Sequence, residues 1–205
     1  MKKTIITLLN ESVEKYGDLP YLHEARQGEE YTTLTYKEVQ KEAIRFAAGL
    51  MALGIAEGDK IALISEGKNN WVIGELGILH AGAVCVPLSV KLETEHDISF
   101  RINHSDTVMV LTSDQQIAKL RPMKDKFQVV KRYILMDEVE LNGDDEIYFD
   151  AVKELGDALL TTDKKRVEER IAKVQPDSLA NISYTSGTTA NPKGIMCIIL
   201  ILVDC

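Results

Sequence analysis

The stretch Tyr184-Thr-Ser-Gly-Thr-Thr-Ala-Asn-Pro-Lys-Gly-Ile-Met196 concentrates hydroxyl side chains, two glycines, one proline and one lysine. Backbone N–H groups and hydroxyls in such a loop can bind phosphate oxygens, and Lys193 adds a point charge. Gly187 and Gly194 allow close backbone approach or a positive φ. The pattern is not a Walker A loop, which needs Gly before its Lys and Ser or Thr after it. Here Pro192 precedes Lys193 and Gly194 follows it. On composition alone, a surface turn and a phosphate site stand level.

Other candidates for chemistry are few. Cys85, Cys197 and Cys205 form neither a CxxC nor a zinc spacing. They suit a reducing cytoplasm, and Cys85 reads as a small core residue. His23, His80, His96 and His104 are not at metal-ligand spacing and read as surface or satisfied core residues. With 24 basic against 32 acidic residues, the net charge of -8 argues against a nucleic-acid partner but says little about a nucleotide.

The elements that must carry the loop follow from periodicity. Ile5, Leu8, Leu9, Val13 and Tyr16 trace one helical face, and Asn10-Glu11 breaks any resemblance to a secretory leader. Thr35-Tyr-Lys-Glu38 is a capping box, and Gly54 closes its helix. Lys60–Ser65, Ala83–Val86, Thr107–Leu111, Val129–Met136 and Leu179–Tyr184 read as strands. Helices are expected from Asn69 or Asn70, from Thr94, from Ser113, and near Asp150–Leu160 and Asp163–Val174. Gly143-Asp-Asp-Glu146 reads as a solvated turn, and Lys164-Lys-Arg166 with Glu168-Glu169 as a solvated helix face. Strands apolar at every position, separated by helices, predict an α/β fold: a largely parallel sheet flanked by helices. No stretch reaches the ~18 apolar residues of a transmembrane segment.

The order Tyr184-Thr-Ser-Gly-Thr-Thr-x-x-Pro-Lys-Gly-x-Met196 resembles the signature loop of the adenylate-forming superfamily of acyl-CoA synthetases, luciferases and peptide-synthetase adenylation domains. The likeness extends upstream through Tyr16-Gly-Asp18, Leu34-Thr-Tyr36, Ala48-Gly-Leu50, Leu53-Gly-Ile55, Gly58-Asp-Lys60, Ile64-Ser65, Trp71, Ala81-Gly-Ala83, Val86-Pro87 and Asp177-Ser-Leu-Ala180. The surroundings of Trp71 and of the linker before the loop look most like long-chain fatty-acid–CoA ligases. These upstream residues read as caps, turns and core, with no catalytic role. Ala190 departs from the family's usual Gly.

The resemblance implies that Thr185, Ser186, Gly187, Thr188, Thr189 and Lys193 grip the ATP phosphates. It implies a fatty acid, ATP and CoA as partners, with Mg²⁺ on the phosphates. A fatty-acid carboxylate attacks the α-phosphorus of ATP, releasing pyrophosphate, and CoA then displaces AMP from the acyl-adenylate. An aryl-CoA ligase or a peptide-synthetase adenylation domain is the alternative within the superfamily. The fold so implied is the N-terminal part of the adenylate-forming large domain, truncated. Residues 1–205 are then an incomplete AMP-binding portion without the C-terminal lysine-bearing domain. No complete catalytic set and no metal ligands are present, so the expectation is a piece that is not catalytic alone: a weak ATP- or pyrophosphate-binding module, or inert. The apolar tail Ile195–Val203 matches no family pattern and reads as a frame change or truncation. It is expected to drive self-association, together with apolar surface left exposed.

Overall fold

The computed structural model describes residues 2–25, 31–185 and 191–202. The chain opens with β1 (Lys2–Thr4), α1 (Ile5–Tyr16), the hairpin β2 (Pro20–Ala25) and β3 (Tyr31–Thr35), and α2 (Tyr36–Ala52). An alternating series follows: β4 (Lys60–Ile64), α3 (Asn69–His80), β5 (Val84–Pro87), α4 (Glu95–His104), β6 (Thr107–Thr112), α5 (Asp114–Leu120) and β7 (Arg132–Leu135). Then come β8 (Glu146–Tyr148), α6 (Phe149–Thr162), α7 (Lys164–Ala172), β9 (Leu179–Tyr184), β10 (Gly194–Ile198) and β11 (Leu200–Leu202).

Seven strands form the main sheet in the order β10-β9-β5-β4-β6-β7-β8. All its pairings are parallel except β10 on β9. The largely parallel α/β sheet expected from the sequence is therefore present. Its continuous apolar strands divide by residue parity between two cores. Ile61, Leu63, Cys85, Met109, Leu111 and Ile134 face a layer containing α2, α3 and α6. Ala62, Ile64, Val84, Val86, Val110 and Leu135 face α4 and α5. Strands buried on both faces need no polar positions, which is why their sequence lacks a period of two.

The predicted caps mostly form. Thr35 and Glu38 make the reciprocal capping box of α2, and Thr94 and Ser113 cap α4 and α5. Gly54 and Gly82 take φ of +90 and +68 after α2 and α3, in the left-handed region glycine favours. Asn69 and Asn70, however, do not cap α3. Lys68 occupies the cap position without a side-chain bond, and Glu24 on β2 instead accepts the Asn69 N–H at 2.7 Å. A carboxylate from the hairpin thus satisfies the helix end and complements its dipole.

Three further expectations need correction. The strand read over Val129–Met136 is limited to Arg132–Leu135. The acidic turn at Gly143–Glu146 is not wholly solvated: Gly143 turns at φ +109, but Glu146 is buried and opens β8. The tail also divides. Ile195, Met196 and Ile198 lie exposed on β10, Ile199 is buried with Ile6, Leu79 and Ala180, and β11 pairs antiparallel with β1. The solvated face of α7 is as expected, with exposed pairs Lys164–Glu168 and Lys165–Glu169. Among the described residues no helix is long and apolar enough to cross a membrane.

Candidate functional site

The strand order defines the carboxyl edge of the sheet, with its reversal beside β4, two strands from β9. From β5 to β8 the sequence β5-β4-β6-β7-β8 reverses at β4, so the connections wind in opposite senses on the two sides. In such sheets ligands bind beyond the carboxyl ends of the strands. β9 runs parallel to β5, so Tyr184, its last residue, lies at that carboxyl edge. The hydroxyl-rich segment begins one residue later, at Thr185.

The ends of the segment are brought together. Thr185 N–H donates to Lys193 O at 3.1 Å, and Gly194 stands opposite Tyr184 in the antiparallel β9–β10 register. Thr185 and Lys193 are thus neighbours across the base of the segment, both exposed. A hydroxyl-bearing and an ammonium-bearing residue, both exposed and paired through their backbones at the rim of the sheet, have side chains of the kind that meet anionic oxygens. Ser186, Gly187, Thr188 and Thr189, the other residues expected to contact phosphate, lie outside the described residues, as does Ala190.

Gly194 serves close approach and not a positive φ. A Cβ there would stand 3.0 Å from Ile182 Cγ2 and 3.4 Å from the Tyr184 ring. The ring therefore lies over the glycine that follows Lys193, while its own backbone leads into Thr185. Tyr184 is held from the other side by α4. His104 Nδ1 lies 2.9 Å from Tyr184 Oη, which donates to Arg101 O at 3.3 Å. The Arg101 guanidinium sits 5.9 Å from the ring centroid and is itself bound by Asp97. Burial pushes the Tyr184 phenol above its ordinary range, only partly opposed by Ser105 and Arg101, so it keeps its proton at neutral pH. His104 had no ligand spacing in the sequence, because its partner is 80 residues away.

The remaining titratable groups do not join this site. His80 is buried in α3, its Nδ1 2.7 Å from Leu76 O, and burial lowers its pKa. Cys85 is buried in the sheet, and its thiol is pushed up by burial. A cavity of about 410 Å³ at the ends of β7 and β8, lined by Asp137, Glu138, Asp150 and Glu154, lies toward the opposite edge of the sheet. Among the described residues no cluster of three His, Cys, Asp or Glu could hold a metal ion.

Residues 9–198 match the family described as AMP-binding enzyme. The chain belongs to that family. It is 29% identical to the long-chain-fatty-acid–CoA ligase ACSBG2 of Rattus norvegicus over 94% of this chain and 29% of the relative. It is 27% identical to the probable acyl-activating enzyme 16, chloroplastic, of Arabidopsis thaliana over 95% of this chain and 28% of the relative. The chain thus spans less than a third of the length of these curated relatives. A crystal structure of a long-chain-fatty-acid-CoA ligase from Archaeoglobus fulgidus superposes with a TM-score of 0.77 at 18% identity, covering 96% of this chain and 36% of that one. At that identity the likeness concerns the fold.

Proposed function

We propose that the chain supplies the ATP phosphate-binding part of a long-chain fatty-acid–CoA ligase. The observation that carries this reading is the hydrogen-bonded closure of Thr185 on Lys193 at the carboxyl edge of the sheet. Thr185, Ser186, Gly187, Thr188, Thr189 and Lys193 hold the β- and γ-phosphates, which leave ATP as pyrophosphate when the fatty-acid carboxylate attacks the α-phosphorus to form the acyl-adenylate. Lys193 and the hydroxyls of Thr185, Ser186, Thr188 and Thr189 would hold the phosphate end of MgATP, where the bound Mg²⁺ would supply neutralisation of the phosphate charge. The fatty acid and CoA are the other substrates, and the reaction is placed in the cytoplasm. Thr185 and Lys193 are exposed, so phosphate binding by the chain alone is expected to be weak.

Calorimetric titration separates phosphate binding from base binding. MgATP and magnesium pyrophosphate are expected to bind saturably and compete, with AMP much weaker. AMP binding as well as ATP, with no heat from pyrophosphate, would contradict the reading.

The same proposal includes self-association through Ile195, Met196 and Ile198, which are 49–71% exposed on an edge strand. Light scattering at micromolar concentration is expected to show an oligomer, and a clean monomer would overturn it.

A further inference from the structure

The phosphate segment has a support outside its own motif. Tyr184 touches both of its ends: its backbone precedes Thr185, and its ring covers Gly194. Because position 194 has no side chain, β10 offers nothing there to fix the ring, and the fixing groups come from the last turn of α4. Arg101 O and His104 Nδ1 both meet the one phenolic oxygen. A phenol has a single proton. If Tyr184 donates it to Arg101 O, the oxygen accepts from His104 Nδ1–H, and the three groups are satisfied in series. The His104 ring also meets Tyr184 edge-on at 5.8 Å and stacks on Phe100 at 5.1 Å.

We propose that His104, with Arg101, is a positioning residue for the nucleotide segment, acting through Tyr184 to hold its two ends in register. The proposal rests on the phosphate-binding reading only for its functional consequence; the geometric part stands without it. His104 is exposed, so removing its imidazole leaves no cavity and no buried group unpaired. The effect should therefore appear at the segment and not in global stability.

Two readouts test this on the full chain. The first is exchange of the Thr185 amide, whose N–H donates to Lys193 O. The second is MgATP affinity by calorimetry. His104→Ala is expected to speed the exchange and weaken MgATP, each about fivefold, the scale of one modest hydrogen bond. The unfolding midpoint should stay unchanged. Tyr184→Phe, which keeps the ring, should reproduce both changes, and the double variant should add nothing further. His104→Gln, whose amide can donate to the phenol, should restore them. If unaltered chain binds no MgATP yet His104→Ala speeds the Thr185 exchange, the nucleotide reading fails and the positioning role stands. Exchange and affinity unmoved by His104→Ala, or moved only in step with a lower midpoint, would overturn it.

Discussion

Alanine at Gly156 is expected to destabilise the chain by roughly 3 kcal/mol, a large share of the 5–15 kcal/mol typical of a domain. A Cβ there would lie 1.9 Å from Arg45 O and 2.9 Å from Gly49 N, both backbone atoms of α2. No rotamer change relieves such a clash, so α2 and α6 must separate. The Phe46–Phe149 stack, with ring centroids 4.2 Å apart, spans the same contact and would open with them. So would the Arg45 ion pair with Asp157 and the Lys153–Glu42 pair at 2.8 Å. Improved helix propensity returns only about 1 kcal/mol.

Gly49 is the reciprocal position, its Cβ falling 1.9 Å from Val152 O, and Gly49→Ala should behave alike. The double variant should be less than additive, because the first methyl already parts the helices. Urea unfolding measures this, with Gly67→Ala as control, since a Cβ at Gly67 meets nothing within 4 Å. An unchanged midpoint for Gly156→Ala would mean that the helices slide past each other at little cost.

Glu146 carries the second large effect. Its side chain is fully buried, yet it receives Arg121 Nε and Nη2 at 3.0 and 2.7 Å, Lys124 Nζ at 2.9 Å and the Asn142 N–H at 2.8 Å. Burial alone would raise its pKa; the Arg121 hydrogen bonds, the Asn142 N–H and Lys124 outweigh that and bring it to about 2. A folded-state pKa below the unfolded value stabilises the fold at pH above the unfolded pKa. That contribution is lost as pH falls toward 2. A shift of this size corresponds to something on the order of 3 kcal/mol.

Glu146→Gln is therefore expected to lower stability by about 2–3 kcal/mol at pH 7 and to lose most of that deficit as the pH approaches 2. Glu42, Glu66 and Asp157 also have lowered pKa values, so the acid limb of the unaltered chain is not due to Glu146 alone. The difference between the two urea-midpoint curves isolates its share. Parallel curves from pH 7 to pH 2 would contradict the assignment.

These two sites differ in how far the sequence announces them. Ala48-Gly-Leu50 is visible as a pattern, but Gly49 needs Val152 opposite it before its lack of a side chain has a reason. Glu146 is misread because Gly143-Asp-Asp-Glu146 is locally indistinguishable from a solvated turn. Only Arg121 and Lys124, 25 and 22 residues away, make its burial tolerable. Local signals fare better: the Thr35–Glu38 capping box and the Thr94 and Ser113 caps depend on neighbours in sequence and form as read. Asn69 is not the cap: Lys68 stands one residue earlier in that position, and Glu24 from the hairpin accepts the Asn69 N–H.

At the candidate site, the order of residues from Tyr184 to Met196 was legible, and so was the strand leading into it. The fixing of Tyr184 by His104 and Arg101 was not. Neither a lone exposed histidine nor a helix-end carbonyl shows a pattern until the sheet brings β9 against α4.

Titration of MgATP into the unaltered chain and into Lys193→Ala tests most directly whether the segment between Thr185 and Lys193 binds the phosphates of ATP. Lys193 is exposed, so its truncation should leave the unfolding midpoint in place. Saturable binding is expected, weakened at least about tenfold by the substitution, the scale of one lost charge-assisted contact. Identical isotherms for the two proteins would contradict it.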